Sequence, residues 1–272
     1  EGEQAAVDDG GALEDDNDTE DEGVLTDGGQ ADEDEQRGIW RPSPGTSWQI
    51  QLDGTIETSF VVEMYDIDLF DVPQSVIDEL HRDGRVVICY FSAGSWEEWR
   101  PDADRFPQEA IGNRLDNWPG ERWLDIRNQA VRQIMVERMR LAVSKRCDGV
   151  DPDNVDGYSN DTGFALTFAD QLDYNRFLAG QAHALGLAVG LKNDVDQIEQ
   201  LVDDFDWQLN EECFQYDECD RLLPFIQAGK AVFQIEYGGQ SLADRICPRA
   251  NAMNFDTLIK RIDLDAWRIS CR

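Results

Sequence analysis

The run Val86-Val87-Ile88-Cys89-Tyr90-Phe91 is almost unbroken in apolar character, the pattern of a strand covered on both faces. Seven further short runs resemble it, at residues 48–52, 60–66, 149–153, 188–192, 207–210, 231–236 and 257–260. Between them the apolar spacing becomes helical. Pro73 opens a stretch with Val76, Ile77 and Leu80 on one face, and residues 127–146 align Val131, Ile134, Met135, Met139, Leu141 and Val143 in a stripe. Residues 172–185 and 222–228 behave alike. Strands alternating with helices predict right-handed parallel crossovers. Eight such strands within residues 37–272 predict an α/β chain folded as one (β/α)8 TIM barrel, a fold of about 250 residues. The rival, an open doubly wound sheet, needs a Gly-rich phosphate loop after its first strand, and Gln51-Leu52-Asp53-Gly54 does not supply one.

Charge narrows the partners. The chain has 57 Asp and Glu against 24 Lys and Arg, a formal net charge of -33. A phosphate backbone and an anionic membrane surface are repelled by such a chain, so neither nucleic acid nor membrane is an expected partner. No apolar run reaches the roughly 20 residues of a membrane span. Residues 1–36 carry 16 of the acids and no Lys or Arg, in a Gly- and Ala-rich context that predicts a disordered acidic tail or tether. The chain starts at Glu1 without Met or an apolar leader, so any signal segment is expected to have been removed or never cloned. Six Cys without metal-ligand spacing favour disulfides and export; Cys213 with Cys219 and Cys247 with Cys271 are the expected pairs, and Cys89, inside its apolar strand, reads best as a buried free thiol. His81 and His183 both fall on predicted helices, away from a site at the strand ends, so neither a nucleophile–His pair nor a zinc site is expected, and calcium on the Asp151–Asp156 cluster fits poorly. No cofactor, no metal and no protein partner are implied; the expected state is a monomer.

Carboxylates gather where strands stop. They occur in Tyr65-Asp66-Ile67-Asp68, Asp151-Pro152-Asp153-Asn154-Val155-Asp156, Lys192-Asn193-Asp194, Asn210-Glu211-Glu212 and Glu236-Tyr237. In a barrel these C-terminal ends build the active site. Helix N-capping accounts for some of them, such as Asp68, Asp156 or Asp194. It does not account for acids inside strand ends, such as Asp66, Asp151, Asp153 and Glu211, because like charges gathered in a cleft repel. Two carboxylates flanking a scissile bond are the apparatus of glycoside hydrolysis. Tyr65, Phe91, Trp96, Trp99, Tyr158 and Tyr237 lie near the same rim, and sugars stack their C–H faces on such rings. The stretch 94–128 is far longer than a usual βα connection, which predicts a lid or cleft wall.

Three motifs carry a family resemblance: Cys89-Tyr90-Phe91-Ser92-Ala93-Gly94-Ser95, residues 147–157, and Asn210-Glu211-Glu212-Cys213-Phe214-Gln215-Tyr216, with Leu191-Lys192-Asn193-Asp194 fitting as well. Together they resemble the endo-α-1,4-polygalactosaminidase family of TIM-barrel glycoside hydrolases, over about residues 40–272. The resemblance implies a catalytic Asp on the fourth strand and Glu on the sixth, carried over as Asp153 and Glu211. Alternation along a strand leaves Asp151 against Asp153, and Glu211 against Glu212, undecided. It further implies an endo-acting hydrolase of α-1,4-linked, partly deacetylated and therefore cationic galactosamine, with Glu211 as acid/base of raised pKa and Asp153 as nucleophile or water-activating base. Tyr65, Asp66, Ser92, Asp151, Lys192, Asn193, Asp194, Glu236 and Tyr237 are assigned to substrate binding, although Lys192 also suits a structural ion pair. The acidity independently favours a cationic polysaccharide partner. A non-catalytic glycan-binding barrel, a hydrolase of another α-linked glycan and adaptation to a salt-rich habitat are the alternatives.

Overall fold

The computed structural model describes residues 38–272; the expected acidic tail of residues 1–36 lies outside the described residues. Eight strands form one curled parallel sheet: β1 (Trp48–Gln51), β2 (Met64–Asp68), β3 (Val86–Ser92), β7 (Gly149–Asp153), β8 (Ala188–Lys192), β9 (Trp207–Glu211), β10 (Val232–Tyr237) and β11 (Asp256–Lys260), in that spatial order. Short β12 (Ile269–Ser270) pairs antiparallel with β11. The helices α1 (Gln74–Arg82), α2 (Gln129–Ser144), α3 (Phe168–Ala184), α4 (Ile198–Leu201), α5 (Leu223–Gln227) and α6 (Gln240–Ala252) follow the inner six strands, which is the TIM-barrel-like plan the alternation predicts. Side chains and loop backbone bridge the seam between β1 and β11. Trp48 Nε1 donates to the Asp256 carbonyl at 2.7 Å, Lys260 Nζ to the Ile50 carbonyl at 2.8 Å, and the Leu52 amide to the Leu264 carbonyl at 3.0 Å.

Strand side chains alternate between faces, and the apolar residues sort accordingly. Trp48, Ile50, Met64, Ile88, Trp207, Leu209, Phe233, Ile235 and Leu258 pack as the barrel interior. Tyr65, Ile67, Val87, Cys89, Phe91, Val150, Val189 and Leu191 face outward onto Ile77, Leu80, Met135, Met139 and Leu178 of the helices. Gly190 is dictated by this packing: a Cβ there would stand 2.3 Å from the Trp207 indole nitrogen, so the missing side chain makes room for the largest interior ring.

Some elements differ from expectation. The second strand begins at Met64 instead of residue 60, because Val62 and Glu63 spend their amides on the Phe60 and Ser47 carbonyls in a turn. The strand also runs on to Asp68 instead of stopping at residue 66, so Asp66 and Asp68 lie inside it. Helix α6 contains Pro248, a residue that disguises helices in sequence. The stretch 94–128 is a built wall: β4 (Ser95–Glu97), β5 (Ile111–Arg114) and β6 (Glu121–Leu124) form a small antiparallel sheet.

Cys213–Cys219 and Cys247–Cys271 pair as expected, but Cys89 is not a free thiol. It points outward from β3 toward Cys147, just beyond α2, with the Cα atoms 6.0 Å apart, and the two form a third disulfide. His81 on α1 and His183 on α3 are partly buried clamps between helix and strand. Each bonds an aspartate at 2.9 Å, Asp148 or Asp206, whose same oxygen accepts the amide of Val87 or Val189. No helix among the described residues is long and apolar enough to cross a membrane.

Candidate active site

The interior parity that buries apolar rings at one end of the barrel delivers polar groups at the other. Register pairs Asp68 with Tyr90 and Tyr90 with Asp151, then Ser92 with Asp153; Lys192 pairs with Leu209, Glu211 with Ile235, and Tyr237 with Lys260. Asp66, Tyr90, Asp151, Asp153, Lys192, Glu211 and Tyr237 therefore converge on one axis. Sharp turns follow at once. Asn154, Asn193, Asp194 and Glu212 all adopt left-handed backbone (φ 60°, 50°, 41° and 63°), a cost borne only where surrounding contacts enforce it.

Lys192 is the hub. Its ammonium, about 1% exposed, lies 3.5 Å from Asp151, 3.7 Å from Asp153 and 3.9 Å from Glu211. The Asp153 and Glu211 oxygens can be no farther apart than the sum of their two distances to that nitrogen. Each also has a phenol: Tyr90 donates to Asp153 Oδ2 at 3.0 Å, and Tyr237 donates to Glu211 Oε1. Asn193 accepts the Glu211 amide at 2.9 Å and approaches its carboxylate at 3.4 Å, so one side chain fixes both backbone and head group.

Burial divides the acids. Asp66 and Asp151 are fully buried, and beyond each other and Lys192 their four oxygens have no polar partner among the described residues. Burial, then the neighbouring Asp151, pushes the Asp66 carboxyl well above its usual range; burial likewise raises Asp151 to about 6 against the pull of Lys192. Three carboxylates hold the Lys192 ammonium above its ordinary value despite desolvation. Asp153 and Glu211 keep side-chain exposures of 18% and 23%.

Above this cluster opens a cleft of about 900 Å³. Asp153, Lys192, Glu211 and Tyr237 line it from the strand ends, Trp99, Trp118, Trp123 and Asn113 from the inserted stretch 94–128, and Leu52, Ile262 and Leu264 from the loops after β1 and β11. Eleven carboxylates line it against three cations, so its field concentrates positive ligands. The inserted wall is anchored by buried charge. Arg100 bridges Asp68 at 2.6 Å and Glu97 at 2.8 Å, and Arg138 of α2 holds Asp102 at 2.8 Å.

The remaining expected residues divide by parity. Asn193 lines the cleft, and Asp194 lines an adjoining hollow. Asp66 and Asp151 lie beneath the cleft floor. Tyr65 faces the helices, its hydroxyl donating to the Glu57 and Phe60 carbonyls at 3.1 Å, and Glu236 faces outward to accept the Phe214 amide at 2.8 Å; neither enters the cleft. Ser92 is buried behind it, accepting the Asn154 side-chain amide at 2.9 Å. Of the expected rim aromatics, Trp99 lines the cleft, Phe91 is buried in the outer core, and Trp96 is tied back to the Ala103 carbonyl at 3.0 Å. Tyr90, Asn154, Trp118 and Trp123 were not among the expected site residues. The two-residue period through Ile88 and Ser92 points to Tyr90; nothing local in the sequence points to Trp118 or Trp123, whose positions depend on the inserted sheet. Among the described residues, no group of three or more His, Cys, Asp or Glu side chains is arranged to hold a metal ion.

A curled parallel sheet that gathers paired carboxylates under an aromatic-walled cleft at its C-terminal edge has the arrangement of a TIM-barrel-like glycoside hydrolase. The sequence signature of glycoside-hydrolase family GH114 matches residues 29–272, and the chain belongs to that family and is a glycoside hydrolase. It is 47% identical to Ega3 of Aspergillus fumigatus, solved in complex with galactosamine, over 86% of this chain and 98% of that one, with a TM-score of 0.83. The glycoside hydrolase domain of PelA from Pseudomonas aeruginosa shares the fold at 13% identity, with a TM-score of 0.66 over 82% of this chain and 98% of that one. A search of curated proteins finds no match.

Proposed function

We propose that the chain is a secreted or surface-tethered endo-hydrolase of α-1,4-linked, partly deacetylated galactosamine polymers, with Asp153 and Glu211 as its catalytic pair. The observation that carries this reading is that two cleft-lining carboxylates from β7 and β9 stand within 4 Å of one buried ammonium, close enough together to grip a single sugar ring. Glu211 gives its proton to the glycosidic oxygen as the bond to the anomeric carbon breaks. Asp153 faces that carbon and either attacks it or takes a proton from the water that does. Lys192 holds the ring of acids together, and the Tyr90 and Tyr237 hydroxyls orient the two acting carboxylates.

The substrate class follows from charge and likeness. A cleft with eleven carboxylates suits a polymer bearing ammonium groups, and the exposed Trp99 and Trp118 rings suit sugar faces. The galactosamine bound by Ega3, at 47% identity, supports the same choice. Three disulfides fit an oxidising compartment, which supports export. The test is a reducing-end assay on deacetylated α-1,4-galactosamine polymer beside a neutral α-linked glycan. New ends, internal in origin, from the cationic polymer alone are expected. Binding without new ends would leave a glycan-binding module instead.

A further inference from the structure

Beyond the ends of β8 and β9 a second hollow of about 360 Å³ adjoins the cleft, sharing Asp156, Asn193 and Glu211 with it. Six carboxylates line this hollow (Asp156, Asp194, Asp196, Glu211, Glu212 and Glu218), and no Lys or Arg does. Arg221 pairs with Asp196 and Lys192 stands 3.9 Å from Glu211, which leaves Asp156, Asp194, Glu212 and Glu218 without a Lys or Arg partner among the described residues. Asp194 is 4% exposed; Asn175 donates to its Oδ2 at 2.7 Å, but its Oδ1 has no partner. A buried carboxyl oxygen left unpaired beside a ligand-sized hollow is costly unless something polar completes it. Burial raises the pKa of Glu212 and Glu218 and pushes Asp194 to about 9, as expected of acids lacking a cation. Tyr158 and the exposed Tyr216 add rings to the same hollow.

Its position relative to the two acids gives it a direction. Asp153 lines the main cleft and not the hollow, whereas Glu211 lines both. In a two-carboxylate hydrolysis the attacking group faces the sugar that keeps the anomeric carbon, and the acid faces the oxygen that departs with the next sugar. A hollow bordered by the acid alone holds the departing sugar.

We propose that this hollow is a leaving-side subsite selective for a sugar with a free ammonium group, so that acetylation of that one residue blocks cleavage. The assignment rests on the roles given above to Asp153 and Glu211. An ammonium supplies the cation that Asp156, Asp194, Glu212 and Glu218 lack and donates to the unpaired Asp194 oxygen; an acetamide carries no charge. The main cleft is acidic too, but the rings of Trp99, Trp118 and Trp123 also line it and give an acetyl group apolar surface to pack on.

Digestion of a partly acetylated α-1,4-galactosamine polymer in 18O-water, with both new ends of each product identified by tandem mass spectrometry, tests this. New non-reducing ends bearing almost exclusively free amines, whatever the acetylation of the polymer, are expected. Glu212→Gln and Glu218→Gln should each lower that enrichment, by about two- to fivefold for a partly exposed charge contact. New non-reducing ends acetylated in the same proportion as the polymer would overturn the subsite while leaving the hydrolase reading intact. An absence of cleavage on polymers of every acetylation level would overturn both.

Discussion

Oδ2 of Asp151 stands 3.5 Å from the Lys192 ammonium, and both side chains are sealed from water. Asp66 lies against the same carboxylate, and burial and then Asp151 drive its carboxyl well above the usual range, which favours its protonated form. Asp66→Asn, which imitates a neutral carboxyl, should keep activity within about threefold, a rate change of under 1 kcal/mol. Lys192→Met strands three carboxylates and should cost about 3–5 kcal/mol of stability in urea unfolding, with activity lost. Equal damage from the two substitutions would contradict the proton assignment.

Gly94 is the sharpest steric constraint at the site. A Cβ there would meet the Asn154 carbonyl oxygen at 1.7 Å, and that neighbour is backbone that no rotamer change can move. The Gly94 and Ala93 amides both bond the Asp153 carbonyl, at 3.1 and 2.8 Å, so Gly94→Ala shifts the residue that carries the candidate catalytic carboxylate. Stability should fall by about 1–3 kcal/mol or more, and a displacement near 1 Å should reduce kcat about a hundredfold. Gly180→Ala in α3, with nothing within 4 Å of the added Cβ, should instead stabilise by about 0.5–1 kcal/mol. Chemical denaturation and steady-state assays of both variants decide it.

Stability should decline from pH 5 to pH 8. Burial raises Asp151 and Asp156 to about 6, Glu97 to about 7 and Asp194 to about 9 in the folded chain, while unfolded carboxyls titrate near 4. Between those limits the folded chain keeps protons that the unfolded chain releases, so each rise in pH favours unfolding. Carboxylates with lowered pKa, such as Asp125 and Asp170, act in the opposite sense but are ionised in both states above about pH 5. Each unit of pH spent in that window costs about 1.4 kcal/mol per group, enough to lower Tm by about 5 °C or more between the two limits. A Tm that rises over this range would contradict the buried-carboxyl account.

The Cys89–Cys147 bond ties β3 to the approach of β7, and 58 residues separate its ends. The double variant Cys89→Ala/Cys147→Ala should lose about 2–5 kcal/mol. Mass analysis with and without reductant should count three disulfides in the native chain. A free thiol at Cys89 would restore the reading its apolar strand gave.

The strands and the acids at their ends were legible because both follow short periods: uniform apolar runs mark the sheet, and abrupt carboxylates mark where each run meets the cleft. Parity was legible too, though the expected site did not apply it throughout. Tyr65 beside Asp66 and Glu236 beside Tyr237 cannot both face the axis, and register turns Tyr65 and Glu236 outward. The same alternation carries Tyr90 inward with Asp151, and Glu211 inward with Ile235. What stayed hidden was set over long sequence distances. Cys89 meets Cys147 across α2, and the inserted wall depends on Arg100 reaching Asp68 and on Arg138 reaching Asp102. No local pattern encodes such pairings.

The most direct measurement of the central claim is endo-cleavage of deacetylated galactosamine polymer by Asp153→Asn and Glu211→Gln, each verified as folded by circular dichroism and an unchanged Tm. Both should lose more than about a thousandfold in kcat/KM while still binding the polymer, as expected when an essential acid or nucleophile is removed. Near wild-type activity in either folded variant would contradict the assignment of the β7 and β9 carboxylates as the pair that breaks the glycosidic bond.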